Sequence, residues 1–163
     1  MEAIIAVSVE QLQSGDYTPE QRSAALGVIF GVDSQLVRDG TYLLAEVDGH
    51  IVACGAWSRR RNRFGSDNVP GKDDALLDPA TDAARIRGFF IHPDWARRGI
   101  STRILMECEA RARAAGFKRL ELVATVTGEA LYAAHGYTVD SREQVPLRDD
   151  VRLPVVPMSK SLG

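Results

Sequence analysis

Arg85-Ile-Arg-Gly-Phe-Phe-Ile-His-Pro-Asp-Trp-Ala-Arg-Arg-Gly-Ile-Ser-Thr-Arg-Ile104 is the stretch on which the reading of this chain turns. Ile86 to Ile91 reads as an apolar strand, and Pro93 stops it. After a short loop, Arg97-Arg98-Gly99-Ile100-Ser101-Thr102 opens a long amphipathic helix. Ile100, Ile104, Leu105, Cys108 and Ala112 form one apolar face, which predicts a helix over 99–115 with Gly116 as its terminator. The first turn of a helix has unpaired N–H groups and carries about half a positive charge. Gly99 lets a ligand approach the backbone, and the arginines add charge, so the layout suits a phosphate or pyrophosphate. It matches neither Gly-x-x-x-x-Gly-Lys-Ser/Thr nor Gly-x-Gly-x-x-Gly. The same residues also describe an ordinary strand-to-helix turn with solvated arginines, and this stretch alone does not separate the two.

Outward from it, Tyr42 to Val47 and Ile51 to Trp57 read as a hairpin about Asp48-Gly49. Residues 3–13 have helical apolar spacing. Thr18-Pro19-Glu20 predicts a second helix running to about Ile29, capped by Thr18. Asp33 caps a short turn to Arg38. Residues 61–83 are polar and rich in Gly, Asp and Pro, which predicts a long loop. Arg119 to Thr125 reads as a strand, followed by a helix from Thr127 or Gly128 to about His135. Tyr137 to Ser141 and Val151 to Met158 form a last strand pair. Pro146, Pro154 and Pro157 demote the second of these to an edge or interrupted strand.

The 163 residues suffice for one domain with its own core. A 45% apolar and 26% charged composition is that of a globular protein. A net charge of −2 gives no global support for nucleic-acid binding. Two cysteines, Cys54 and Cys108, make no disulfide framework. With neither a basic leader nor an apolar run of membrane-spanning length, the chain reads as cytoplasmic, with no membrane partner.

A second motif stands at 131–137, Leu-Tyr-Ala-Ala-His-Gly-Tyr, after the strand at 119–125. It is similar to the Phe/Leu-Tyr-x-x-x-Gly-Phe/Tyr pattern of the GCN5-related N-acetyltransferases. Ile91-His92-Pro93 and Arg97-Arg98-Gly99-Ile100 resemble that family's strand end and pyrophosphate loop. Ala96 stands where the family has Gln or Arg, and Ser101 where it has Gly or Ala. The resemblance covers residues 41 to 140 well. It implies an α/β fold with a mixed, largely antiparallel central sheet flanked by helices, and a cleft for CoA between splayed strands. Family members usually carry a strand ahead of the first helix, whereas this chain is read as starting at that helix, with 1–163 as one acetyltransferase domain.

The resemblance also implies acetyl transfer from acetyl-CoA, as co-substrate and without a metal, to a primary amine. Pantetheine would pair with the backbone of Phe89, Phe90 and Ile91. The pyrophosphate would sit on the amides of Arg97, Arg98, Gly99, Ile100, Ser101 and Thr102, with Thr125 beside the pantetheine arm. Tyr132 takes the general-acid position. Glu121 is the acidic candidate for the base, one residue closer to Tyr132 than in members that use such a glutamate. His92 and a water chain are alternatives. Cys54 has no neighbouring base for a covalent acetyl-enzyme. Trp57, Arg59, Arg60 and Arg87 are candidates for the acceptor cleft. These arginines favour an acceptor with a carboxylate or phosphate, while the Asp73 to Asp82 loop favours cations, and the sequence leaves that choice open. A small-molecule or a protein amine fits, and a homodimer is compatible with the pattern. A non-catalytic CoA-binding sensor or an interaction domain is the competing reading.

Overall fold

The computed structural model describes residues 1–163. Three short helices come first: α1 (Glu2–Leu12), α2 (Pro19–Ala25) and α3 (Ser34–Arg38). Thr18 and Gln21 form a reciprocal capping box at the start of α2, with Pro19 in its first turn. Helix α2 ends at Ala25, earlier than the expected Ile29. Leu26 turns extended and Gly27 takes φ +83°, a left-handed conformation that glycine adopts without strain. Asp33 caps α3, its carboxylate accepting from Gln35 N–H at 2.9 Å.

The hairpin β1 (Tyr42–Val47) and β2 (His50–Ser58) follows, then β3 (Ala84–Ile91). Helix α4 (Ile100–Ala114), strand β4 (Arg119–Thr125) and helix α5 (Glu129–Ala134) lie as the apolar spacing predicts, within one or two residues at each end. The chain closes with β5 (Thr138–Val139), β6 (Glu143–Pro146) and β7 (Arg152–Ser161). The sheet order is β1-β2-β3-β4-β7-β5, with β6 also pairing with β7. Every pairing is antiparallel except β3 with β4.

Strand β7 corrects the sequence expectation. It is ten residues long and lies between β4 on one side and β5 and β6 on the other. Its prolines fit because each points its nitrogen where no ladder donor is required. The Pro157 carbonyl accepts from Asp140 N–H, so Pro157 faces the gap between β5 and β6. By alternation Pro154 faces the β4 side, beyond the last pair, Thr125 with Val155. There the Tyr17 hydroxyl donates to the Pro154 carbonyl at 2.6 Å and accepts from Val126 N–H at 2.9 Å. It extends the ladder by one side chain. Burial pushes the Tyr17 phenol up to about 12, so it remains a donor.

Helices α4 and α5 cover one face of the sheet, where Ile86, Leu105, Leu120, Leu122 and Met158 are buried. Helices α1 and α2 cover the other, around Ile5, Val9, Phe30, Leu153 and Val155. No helix is long and apolar enough to cross a membrane.

Candidate active site

The parallel pair β3–β4 is short. Ala84, Arg85 and Ile86 pair with Leu120, Glu121 and Leu122, and no further pairs follow, although both strands continue. The cause lies in Gly88. It takes φ +66°, and the β2–β3 register shifts between Cys54 and Ala56, which marks a bulge that turns β3 away from β4. A side chain at Gly88 is excluded, because its Cβ would lie 2.6 Å from the Tyr42 hydroxyl. That hydroxyl and the Cys54 thiol both donate to the Gly88 carbonyl, at 3.3 and 3.4 Å, and so lock the bulge. His92 N–H donates to Val52 on β2, so strand alternation turns the polar backbone of Phe89 and Ile91 toward the β4 side, where no strand remains to pair with it. Buried backbone groups without partners are costly, and a ligand that pairs with them relieves that cost.

Below this opening, His92 caps a single 3-10 turn at Pro93–Trp95, its Nδ1 accepting from Asp94 N–H at 3.2 Å. Arg97 (φ +61°) and Gly99 (φ +80°) are both left-handed, and helix α4 begins at Ile100 without a side-chain cap. Its first-turn N–H groups therefore stay available to an anion. A Cβ on Gly99 would meet no protein atom within 4 Å. The Thr102 hydroxyl lies 3.1 Å from His135 Nε2 and ties this helix start to the end of α5.

A cavity of about 600 Å³ runs from this loop through the strand opening to the α1 and α3 side. Tyr132 lies in its wall. The residue is 8% exposed, and its ring meets Phe89 and Tyr137 edge-on at 6.1 and 5.8 Å between centroids. Burial, then the nearby Cys108, pushes its phenol far above the usual tyrosine range, and no hydrogen bond holds its hydroxyl. Tyr132 is thus a protonated phenol whose residue lines the cavity.

The opposite end of the cavity is built from side chains. Asp33 and Arg87 pair at 2.7 Å with both side chains almost fully buried. Lys72 reaches the other Asp33 oxygen at 3.0 Å, and Arg87 also donates to the Gly65 carbonyl at 2.7 Å. Burial pushes the Asp33 carboxyl up, but hydrogen bonds from Arg87 and Lys72 outweigh it and hold the group below the usual carboxylate range. Gln13, Tyr42, Arg63 and Phe64 complete this end.

Most residues proposed from sequence meet at the cavity: Phe89, Phe90, Ile91, Arg97, Gly99, Ile100, Ser101, Thr102, Thr125 and Tyr132, together with Arg87. Four do not. Arg98 stacks over the Trp95 ring at 4.8 Å, outside the cavity wall. Trp57 is buried in the α4-side core, edge-on to Phe117, because β2 alternation puts it on the same face as Ala53. Arg59 is exposed beyond the end of β2. Glu121 points to the sheet face opposite the buried Leu120 and Leu122, where Arg85 and Arg119 engage its oxygens. Arg87 reaches the wall, yet both of its terminal nitrogens are committed. Arg60 is likewise committed, to Asp39 at 2.7 and 2.8 Å.

Sequence reasoning did not single out Gly88, Tyr42, Gln13 or Arg63 as site residues. For Gly88 a signal exists, since glycine inside a strand marks a bulge or a close approach. The other three come together only through the tertiary fold.

The model of the acetyltransferase (GNAT) family matches residues 6–137, and the chain belongs to that family. It is an N-acetyltransferase. No curated protein matches it by sequence. Among solved structures, a GCN5-related N-acetyltransferase from Rhodopseudomonas palustris is 24% identical, with a TM-score of 0.71 over 99% of this chain and 87% of that one. The PaiA N-acetyltransferase of Thermoplasma acidophilum, in complex with coenzyme A, is 13% identical, with a TM-score of 0.65 over 98% and 89% of the two chains. A phosphinothricin acetyltransferase from Sinorhizobium meliloti, in complex with acetyl-CoA, is 21% identical, with a TM-score of 0.58 over 80% and 65%.

Proposed function

We propose that the chain moves the acetyl group of acetyl-CoA directly to a primary amine, with Tyr132 as the general acid. The observation that carries this is Tyr132, its phenol buried, protonated and unbonded, in a residue that lines the cavity between the opened strands and the start of α4. The pyrophosphate rests on the first-turn amides of α4 from Gly99 to Thr102, with Arg97 alongside. The pantetheine arm pairs with the exposed backbone of Phe89 and Ile91 as an added strand. Thr125 faces the same arm across the gap. The Ile91 N–H donates to the thioester carbonyl and stabilises the oxyanion as the amine attacks, an effect worth roughly 3 kcal/mol.

When the tetrahedral intermediate collapses, the C–S bond breaks and Tyr132 gives its proton to the departing thiolate. The amine loses its proton to water in the open cavity, since Glu121 and His92 are held elsewhere by Arg85, Arg119 and Asp94. Cys54 supports direct attack over a covalent acetyl-enzyme. Burial raises its thiol to about 11, and its neighbours Tyr42 and Gly88 supply no base.

The test is Tyr132→Phe, which keeps the ring contacts with Phe89 and Tyr137. Its kcat should fall by about 100-fold or more while the dissociation constant of acetyl-CoA stays within about twofold. A variant that keeps most of its kcat would remove Tyr132 from the chemistry.

A further inference from the structure

The acceptor end of the cavity shows what kind of amine it takes. Its lining carries one carboxylate, Asp33, which is 1% exposed and already paired with two cations. One oxygen accepts from Gln35 N–H and Lys72, and the other from Arg87. A polycationic acceptor therefore finds no free anion here. None of the acidic residues of the 59–83 loop lines the cavity. Asp73, Asp78 and Asp82 accept from backbone N–H groups of their own turns, and Asp74 holds Lys72.

The cationic side differs. Arg63 lines the cavity, and its only ionic partner is Glu143, with both oxygens at 3.4 and 3.5 Å from one guanidinium nitrogen. Both side chains are more than 40% exposed, so the pair is weak and exchangeable. The fork already faces a carboxylate, at a length well beyond a good charge-assisted bond. Gln13 adds a second, independent sign. It is 95% buried by its 5% exposure, it lines the same cavity, and its side-chain oxygen has no hydrogen-bond partner in the chain. A buried amide left unsatisfied needs a partner, and a ligand N–H or O–H supplies one.

Building on acetyl transfer to a primary amine, we infer that the acceptor is an amino carboxylate, whose carboxylate displaces Glu143 from Arg63 and whose hydrogen-bond donor pairs with the Gln13 carboxamide. Arg87 supports this subsite without touching the acceptor, because its hydrogen bond to Gly65 holds the backbone beside Arg63 and Phe64.

The experiment compares amino acids with their decarboxylated amines, with aminophosphonates and with spermidine, at saturating acetyl-CoA. Amino acids should exceed their decarboxylated counterparts at least tenfold in kcat/KM. The aminophosphonate arm separates carboxylate recognition from general anion recognition. Arg63→Ala should raise KM for the best amino acid at least tenfold, leave kcat within about twofold, and leave the decarboxylated amine unaffected. Gln13→Met, of similar volume, should raise KM severalfold. The same panel is read by thermal shift of the CoA complex, so a preference is measured even without turnover. Equal or better use and binding of decarboxylated amines, spermidine or aminophosphonates would overturn the amino-carboxylate assignment and leave amine acetylation standing. Absence of turnover with every amine, despite carboxylate-selective binding lost in Arg63→Ala, would overturn the catalytic reading and leave the subsite.

Discussion

The two ends of the cavity are made differently. At the end proposed for the cofactor the groups on offer are backbone: the unpaired edge of β3 and the amides that open α4, supplied by one run of chain from Gly88 to Thr102. At the acceptor end they are side chains drawn from α1, α3, β1, the 59–83 loop and β3, held by a buried ion pair. Backbone groups tolerate sequence change, so Ala96 and Ser101 are compatible with the proposed pyrophosphate loop. Side-chain groups do not, and specificity is therefore expected to reside at the acceptor end.

The sharpest break in that comparison is Gly99→Asp. It forces a side chain onto a left-handed residue and places a negative charge at the proposed phosphate site. Affinity for acetyl-CoA should fall about 100-fold, roughly 3 kcal/mol, in a calorimetric titration, with the fold retained. At the other end Asp33→Asn leaves Arg87 buried without its counter-charge and should cost about 3 kcal/mol in denaturant unfolding. The same pair sets an acid limit. The Asp33 carboxyl lies lower in the folded chain than in the unfolded one, so its stabilisation is complete above the unfolded pKa of about 4 and is lost as pH falls through the folded value. Melting temperature should drop below about pH 4 in the parent, and less steeply in Asp33→Asn.

Because burial raises the Tyr132 phenol, the acid stays protonated, and kcat/KM should rise with pH as the amine is freed. No descending limb from Tyr132 should appear below about pH 10. The smallest effect belongs to Glu121→Gln, which should change kcat less than about threefold, since that side chain is paired with Arg85 and Arg119 away from the cavity. A larger loss would return Glu121 to the reaction.

How much the sequence disclosed follows the same division. The β3-to-α4 stretch is local, so strand, stop and helix start are legible in order, and the Tyr132 motif likewise occupies a single run. Helix α2 stops short of Ile29 because Gly27 outweighs the apolar spacing that runs on to that residue. The prolines of β7 read in sequence as strand breakers, since only its neighbours reveal that Pro154 and Pro157 face positions that need no donor. Trp57 and Glu121 point away from the cavity because strand alternation fixes their faces, and the sequence does not say which face of a strand meets which helix. Arg63 and Gln13 are 50 positions apart in a chain whose long loop hides their proximity to one cavity.

The most direct test of the account is a crystal structure with acetyl-CoA bound. The account predicts the thioester carbonyl about 2.9 Å from Ile91 N–H, the sulfur within hydrogen-bonding reach of the Tyr132 hydroxyl, and the pyrophosphate on the amides from Gly99 to Thr102. A cofactor lying outside the β3–β4 opening, or a Tyr132 hydroxyl turned away from the sulfur, would contradict it.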